Sequence, residues 1–188
     1  AVHDTIHTYV KDNTIDLSSV GLSEEEIKEI QRIYIVACGS AYHVGITAKY
    51  VLEDLVKIPV EVDLASEFRY RNPVLVEDSL VLIISQSGET ADSLAALREA
   101  KSKGIRTLAV VNVVGSSIPR EADYVFYTLA GPEIAVATTK AYSTQLIASY
   151  LLAIQFAKVR GSISETYYHQ LIAELLTLPD KIAKVLED

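Results

Sequence analysis

Five short runs of β-branched and aliphatic residues, separated by stretches of helical period, constrain this chain more than any other feature. They are Ile33-Tyr34-Ile35-Val36-Ala37, Val60-Glu61-Val62-Asp63-Leu64, Leu80-Val81-Leu82-Ile83-Ile84, Arg106 to Val111 and Tyr124 to Thr128. Runs this apolar read as strands, most of them covered on both faces. Between them the periodicity predicts helices over Tyr42 to Lys57, with Val44, Ala48, Val51, Leu52 and Leu55 on one face, over Ala65 to Arg71, and over Ala91 to Lys103, closed by Gly104. A long helix is expected from about Thr138 to Arg160, and another from Ser164 to Thr177, ending before Pro179. Upstream, Ser23 followed by Glu26 is a capping-box pattern that starts a helix from about Glu24 to Gln31. Ala1 to Gly21 reads as a linker or a peripheral helix.

Strands separated by single helices imply right-handed crossovers and a parallel sheet. The expected class is therefore α/β, a three-layer sandwich around a five-stranded parallel sheet in the flavodoxin-like order 2-1-3-4-5. In that order strands 1 and 3 are neighbours whose outgoing helices leave on opposite faces. A crevice opens over their carboxyl ends, and the loops Cys38-Gly39-Ser40-Ala41 and Ser85-Gln86-Ser87-Gly88-Glu89-Thr90 should face one another there. Residues 1–31 are expected as an N-terminal linker or peripheral helix, 32–161 as the domain proper and 162–188 as C-terminal helices leading away from it.

The second of these loops runs from a buried strand into a helix N-terminus, where the first N–H groups have no internal partner and the macrodipole is positive. Such an end accepts phosphate or carboxylate. Ser85, Ser87 and Thr90 add hydroxyls, Gln86 adds an amide, and Gly88 is expected to let the backbone approach the ligand. The loop carries no Lys or Arg and matches neither the Walker A nor the dinucleotide pattern. Its chemistry suits a compact phosphomonoester held by neutral donors. The alternative for every one of these residues is a capped strand-to-helix turn; the position beside the switch point favours binding. Glu133 and Lys140 read as a helix-start carboxylate and a surface lysine, and His3 and His7, at metal-ligand spacing but with no third partner, as a solvated pair.

Composition narrows the partners. The 188 residues carry a formal net charge of -8, which disfavours nucleic acid and anionic lipid, so an anionic ligand must be held by local geometry. The single Cys38 cannot pair within the chain, so a reducing, cytoplasmic setting is expected. The apolar stretch from Ser143 to Val159 is too short and too polar for a membrane span; a buried or subunit-interface helix, and with it a homodimer, is expected. With no Met and a start at Ala1, the chain reads as a piece of a longer protein.

Ser85-Gln86-Ser87-Gly88-Glu89-Thr90-Ala91-Asp92 resembles the signature of SIS (sugar isomerase) domains. Ala65-Ser66-Glu67-Phe68-Arg69-Tyr70, Asn112-Val113-Val114-Gly115-Ser116-Ser117, Arg120-Glu121-Ala122-Asp123 and the run Ala130 to Ala141 resemble the first of two SIS subdomains in the glucosamine-6-phosphate synthase family. That family converts fructose 6-phosphate and glutamine into glucosamine 6-phosphate and glutamate. The resemblance implies that Ser85, Gln86, Ser87 and Thr90 hold the sugar phosphate, and that Ser40, Val136 and Thr138 line the sugar pocket. It implies no cofactor and no metal. The family's acid–base residues lie in the second subdomain and C-terminal tail, so this chain is expected to bind fructose 6-phosphate or glucosamine 6-phosphate without turning it over. Ala41 stands where the family usually has Ser. A phosphosugar-sensing domain of a regulator, or a related deglycase or phosphosugar isomerase, are the readings left open.

Overall fold

The computed structural model describes residues 1–135 and 137–187. The chain begins with helix α1 (Val2–Tyr9), a small antiparallel pair β1 (Val10–Lys11) and β2 (Thr14–Ile15), and α2 (Glu24–Glu29). The expected capping box starts α2: Ser23 Oγ accepts from the Glu26 N–H at 3.2 Å, and the Glu26 carboxylate accepts from the Ser23 N–H at 2.9 Å. The alternating part follows as β3 (Arg32–Ala37), α3 (Ser40–Val56), β4 (Val60–Leu64), α4 (Ala65–Tyr70), β5 (Ser79–Ser85), α5 (Ala91–Ser102), β6 (Arg106–Val111), α6 (Ser117–Glu121) and β7 (Tyr124–Tyr127). Two long helices close the chain, α7 (Thr139–Arg160) and α8 (Glu165–Glu187).

β3 to β7 form one five-stranded parallel sheet in the order β4-β3-β5-β6-β7, which is the 2-1-3-4-5 order expected from the sequence. Every position of the central strand β5 is buried, as its unbroken apolar run requires when helices cover both faces. One face packs Ile33, Ile35, Leu82 and Leu108 against α3 and α7, with α1, α2 and α8 outside them. The other packs Val36, Val81, Ile83 and Ala109 against Phe68 of α4, Ala96 and Leu97 of α5 and Ile118 of α6.

α7 carries buried residues all around its circumference, among them Ile147, Leu151, Ile154 and Phe156. Its apolar surface is covered within the chain by α1, α2, α3 and α8, which explains a helix apolar on every side. The chain before β3 contributes to the same core through Ile6, Tyr9, Ile27 and Ile30. At the other end of α7, Arg160 donates to the carbonyls of Lys28 at 2.9 Å and Ile30 at 2.8 Å, satisfying oxygens that the end of α2 leaves without helical partners.

The last helix departs from the sequence reading. Instead of stopping at Thr177, α8 continues through Pro179 to Glu187. A proline deletes one N–H and crowds one carbonyl, a cost that a 23-residue helix absorbs while the bonds on either side persist.

α3 lies close against the sheet at Gly45. A Cβ there would fall 2.9 Å from Ile35 Cγ2 and 3.0 Å from Val62 Cγ1, so hydrogen is the only side chain the β3/β4 surface accommodates. Gly45→Val is expected to destabilise the fold by about 1–3 kcal/mol through overpacking, read as a lowered urea midpoint. An unchanged midpoint would show that α3 stands further from the sheet.

Candidate functional site

Ala37 pairs with Ile84 at the carboxyl ends of β3 and β5, so the two outgoing loops start side by side, about 4.8 Å apart. From there α3 departs on one face and α5 on the other. Cys38 and the first turn of α5 meet across the gap, with the Ser93 hydroxyl 3.9 Å from Cys38 Sγ. The strand order and the diverging helices that define a switch-point crevice are thus present.

Neither helix that opens onto it has a side-chain cap. Gly39 turns the chain into α3 at φ 57° and ψ -133°, a conformation open in practice only to glycine. In the second loop, Ser85 Oγ accepts from the Gly88 N–H at 3.0 Å, and Ser87 Oγ accepts from the Glu89 N–H at 3.2 Å. Among the described residues, no protein group accepts from the backbone N–H of Ser87, Thr90, Ala91, Asp92 or Ser93. This row of open donors at a helix start is the feature that suits an anion.

The individual side chains differ in how they are placed. Ser85 is 3% exposed, and its hydroxyl braces the loop from below, 3.4 Å from Thr90 Oγ1. Gln86 and Ser87 are half-buried at the rim, and Ser87, which spends a lone pair on Glu89, keeps its own proton to donate. Ser40 is brought to Thr138, hydroxyl to hydroxyl at 2.8 Å. That contact joins the start of α3 to the start of α7 across 98 positions of sequence. Thr138 holds it from a left-handed backbone (φ 54°, ψ 39°), unusual for a β-branched residue. Val136, expected in the sugar pocket, lies outside the described residues. Ala41 is buried in the first turn of α3.

Gly88 also meets a protein neighbour that the sequence did not indicate. Its φ is +67°, and a Cβ would fall 2.0 Å from Ser116 Oγ. The close approach of the loop to α6 by itself requires the glycine. The Gly88 carbonyl accepts from the Ile118 N–H at 2.9 Å, and the Gln86 carbonyl from the Asn112 N–H at 3.2 Å.

Two carboxylates sit within this otherwise neutral region, and each is answered from outside it. Asp92 accepts from Arg69 Nη1 at 2.7 Å. Glu89 accepts from the Ser117 hydroxyl at 2.7 Å and the Ser117 N–H at 2.8 Å; the hydroxyl first, then the N–H, hold it below the usual Glu range. Glu133 accepts from the Ala141 N–H at 3.0 Å, the helix-start role the sequence suggested. Sequence reasoning assigned no role to Asn112. Its Oδ1 accepts from the Ala130 N–H at 2.7 Å and its Nδ2 donates to the Gly131 carbonyl at 2.8 Å, pinning the segment that leads to Thr138. A side-chain amide just after a strand end was the one available signal.

The comparisons with known proteins agree with this geometry. The SIS domain family matches residues 26–155. The glutamine–fructose-6-phosphate aminotransferase [isomerizing] of Clostridium tetani is 59% identical over 92% of this chain and 28% of its own length. The enzyme of the same name from Caldanaerobacter subterraneus subsp. tengcongensis is 55% identical over the whole chain and 31% of its own length. This chain therefore spans about three-tenths of these curated relatives. Among solved structures, the C-terminal domain of glucosamine-fructose-6-phosphate aminotransferase from Francisella tularensis superposes with a TM-score of 0.89 at 42% identity, over 93% of this chain and 49% of that one.

Gly88→Ala tests the loop's packing. The collision with Ser116 and the positive φ together are expected to cost about 1–3 kcal/mol, measured by urea unfolding. Wild-type stability in that variant would contradict the close approach.

Proposed function

This chain belongs to the SIS domain family, and on that premise we propose that it is the phosphosugar-binding half of the isomerase part of an enzyme making glucosamine 6-phosphate from fructose 6-phosphate and glutamine. The observation that carries the reading is the row of open N–H donors at the start of α5, beside the hydroxyls of Ser87 and Thr90 and the Gln86 amide. A phosphate ester presents oxygens that match such donors, and the dipole of a 12-residue helix adds attraction where the net charge of -8 does not. Ser85 supports the loop beneath the ester. Ser40 and Thr138 face the sugar across the crevice and exchange their mutual hydrogen bond for bonds to its hydroxyls; Val136 is assigned to the same pocket.

The donors here are hydroxyls, an amide and backbone N–H groups, which hold an ester without taking its protons. The role we assign is binding, with the isomerisation chemistry supplied elsewhere in the enzyme. In this reading residues 32–161 are the SIS subdomain, flanked by residues 1–31 and by C-terminal helices leading towards a second subdomain. The lone thiol of Cys38 suits a reducing compartment, and we assign the protein to the cytoplasm on that ground. The expected homodimer draws no support from α7, which the chain itself covers.

Calorimetric titration tests the reading. Fructose 6-phosphate is expected to bind measurably and fructose not at all. Ser87→Ala removes a donor to a charged group, so affinity should fall by roughly 10- to 150-fold. Equal affinities for wild type and Ser87→Ala, or for the sugar with and without its phosphate, would refute it.

A further inference from the structure

Glu89 is out of place by charge. It stands between Gly88 and Thr90, inside a loop that this reading gives to a doubly negative ester. Coulomb's law makes a carboxylate there unfavourable for the ligand. Its geometry suggests why the loop nevertheless uses one. The carboxylate spans both donors of Ser117, Oε2 to the hydroxyl at 2.7 Å and Oε1 to the N–H at 2.8 Å. It ties the loop to α6 at the end where the Ile118 N–H reaches the Gly88 carbonyl at 2.9 Å. The outer side of the loop is thus fixed at Gln86, Gly88 and Glu89, while the N–H groups of Ser87 and Thr90 have no protein acceptor.

We propose that Glu89 is a positioning residue: by bridging to Ser117 at the start of α6 it holds the phosphate loop in the shape that presents the donors of Ser87 and Thr90 to a sugar phosphate. The proposal rests on the phosphosugar reading and deepens it. The bridge is charge-assisted and two-pronged, which gives it strength and direction. Arg120 is the nearby cation whose field adds to it. The same contacts hold the carboxylate below its usual range.

The two possible effects of Glu89 have opposite signs, which makes the proposal decidable. If Glu89 acted only through its charge, removing it would tighten phosphate binding. If it positions the loop, Glu89→Ala loosens the donors and weakens binding. Glu89→Gln keeps an oxygen for the Ser117 N–H and offers an N–H to the Ser117 hydroxyl, so it should retain wild-type affinity or exceed it.

The experiment is calorimetric titration of the 188-residue chain and both variants with fructose 6-phosphate, alongside amide hydrogen exchange without ligand. Expected are about a 10-fold loss of affinity in Glu89→Ala, rescue in Glu89→Gln, and faster exchange of the Ile118 amide in Glu89→Ala alone. Ser117→Ala, which deletes one prong and leaves the loop sequence intact, should give a smaller loss in the same direction. Binding by Glu89→Ala as tight as wild type, or tighter, overturns the proposal and leaves the phosphosugar reading standing. Failure of Glu89→Gln to rescue, with Ile118 exchange unchanged in Glu89→Ala, overturns it too. Wild type that does not bind fructose 6-phosphate refutes the phosphosugar reading itself.

Discussion

Two neighbouring parallel strands whose following helices part to opposite faces are the arrangement on which everything else in this molecule depends. Ala37 beside Ile84 sets the starting points of both loops within one strand spacing. The departure of α3 and α5 to opposite faces then draws the two helix starts apart above the strand ends. A parallel sheet cannot close this gap with a hairpin, because its connections must cross a face. The crevice is therefore a product of topology, and the loops that border it are free to carry hydroxyls because the strands beneath them supply the packing.

The electrostatics follow from that placement. An acidic protein attracts no anion from a distance, so an anion taken up under the proposed function would depend on short-range donors whose partners are missing. The first N–H groups of α5 meet that need and lack a side-chain cap. Asp92 and Glu89 lie within the same few residues, yet Arg69 and Ser117 occupy them. Each carboxylate thereby also ties the loop region to a neighbouring helix, α4 in one case and α6 in the other. The region around the open donors is made locally compatible with negative charge without a single basic residue in the loop.

The sequence made the sheet legible because strands buried on two faces write themselves as unbroken apolar runs. Leu80 to Ile84 and Arg106 to Val111 needed no further context, and their order followed from the spacing of the helices. The Ser-rich loop was legible for a similar reason, since a strand end followed by hydroxyls and a helix start is a local pattern. α6 was not, because five residues show no period. The Glu89–Ser117 bridge and the Asn112 contacts join positions 18 to 28 apart, and no local pattern encodes such pairs. At Gly88 the sequence shows that a side chain is absent, while only packing shows that a neighbour, here Ser116, demands it. Pro179 misled in the opposite way, since a residue that disfavours helix locally was outvoted by a long amphipathic segment on both sides.

The contact between Ser40 and Thr138 has a consequence for how ligand and fold are linked. One hydroxyl belongs to the first crossover of the sheet and the other to the segment after its last strand, so the pair exists only when α3 and α7 are docked on each other. A molecule that grips both would bind the finished domain and have nothing to grip in an unfolded one. Occupancy would then be felt as resistance of the entire sheet to melting, growing with the logarithm of free ligand. The protein would be sturdiest when such a ligand is plentiful and most open to proteolytic turnover when that ligand runs out.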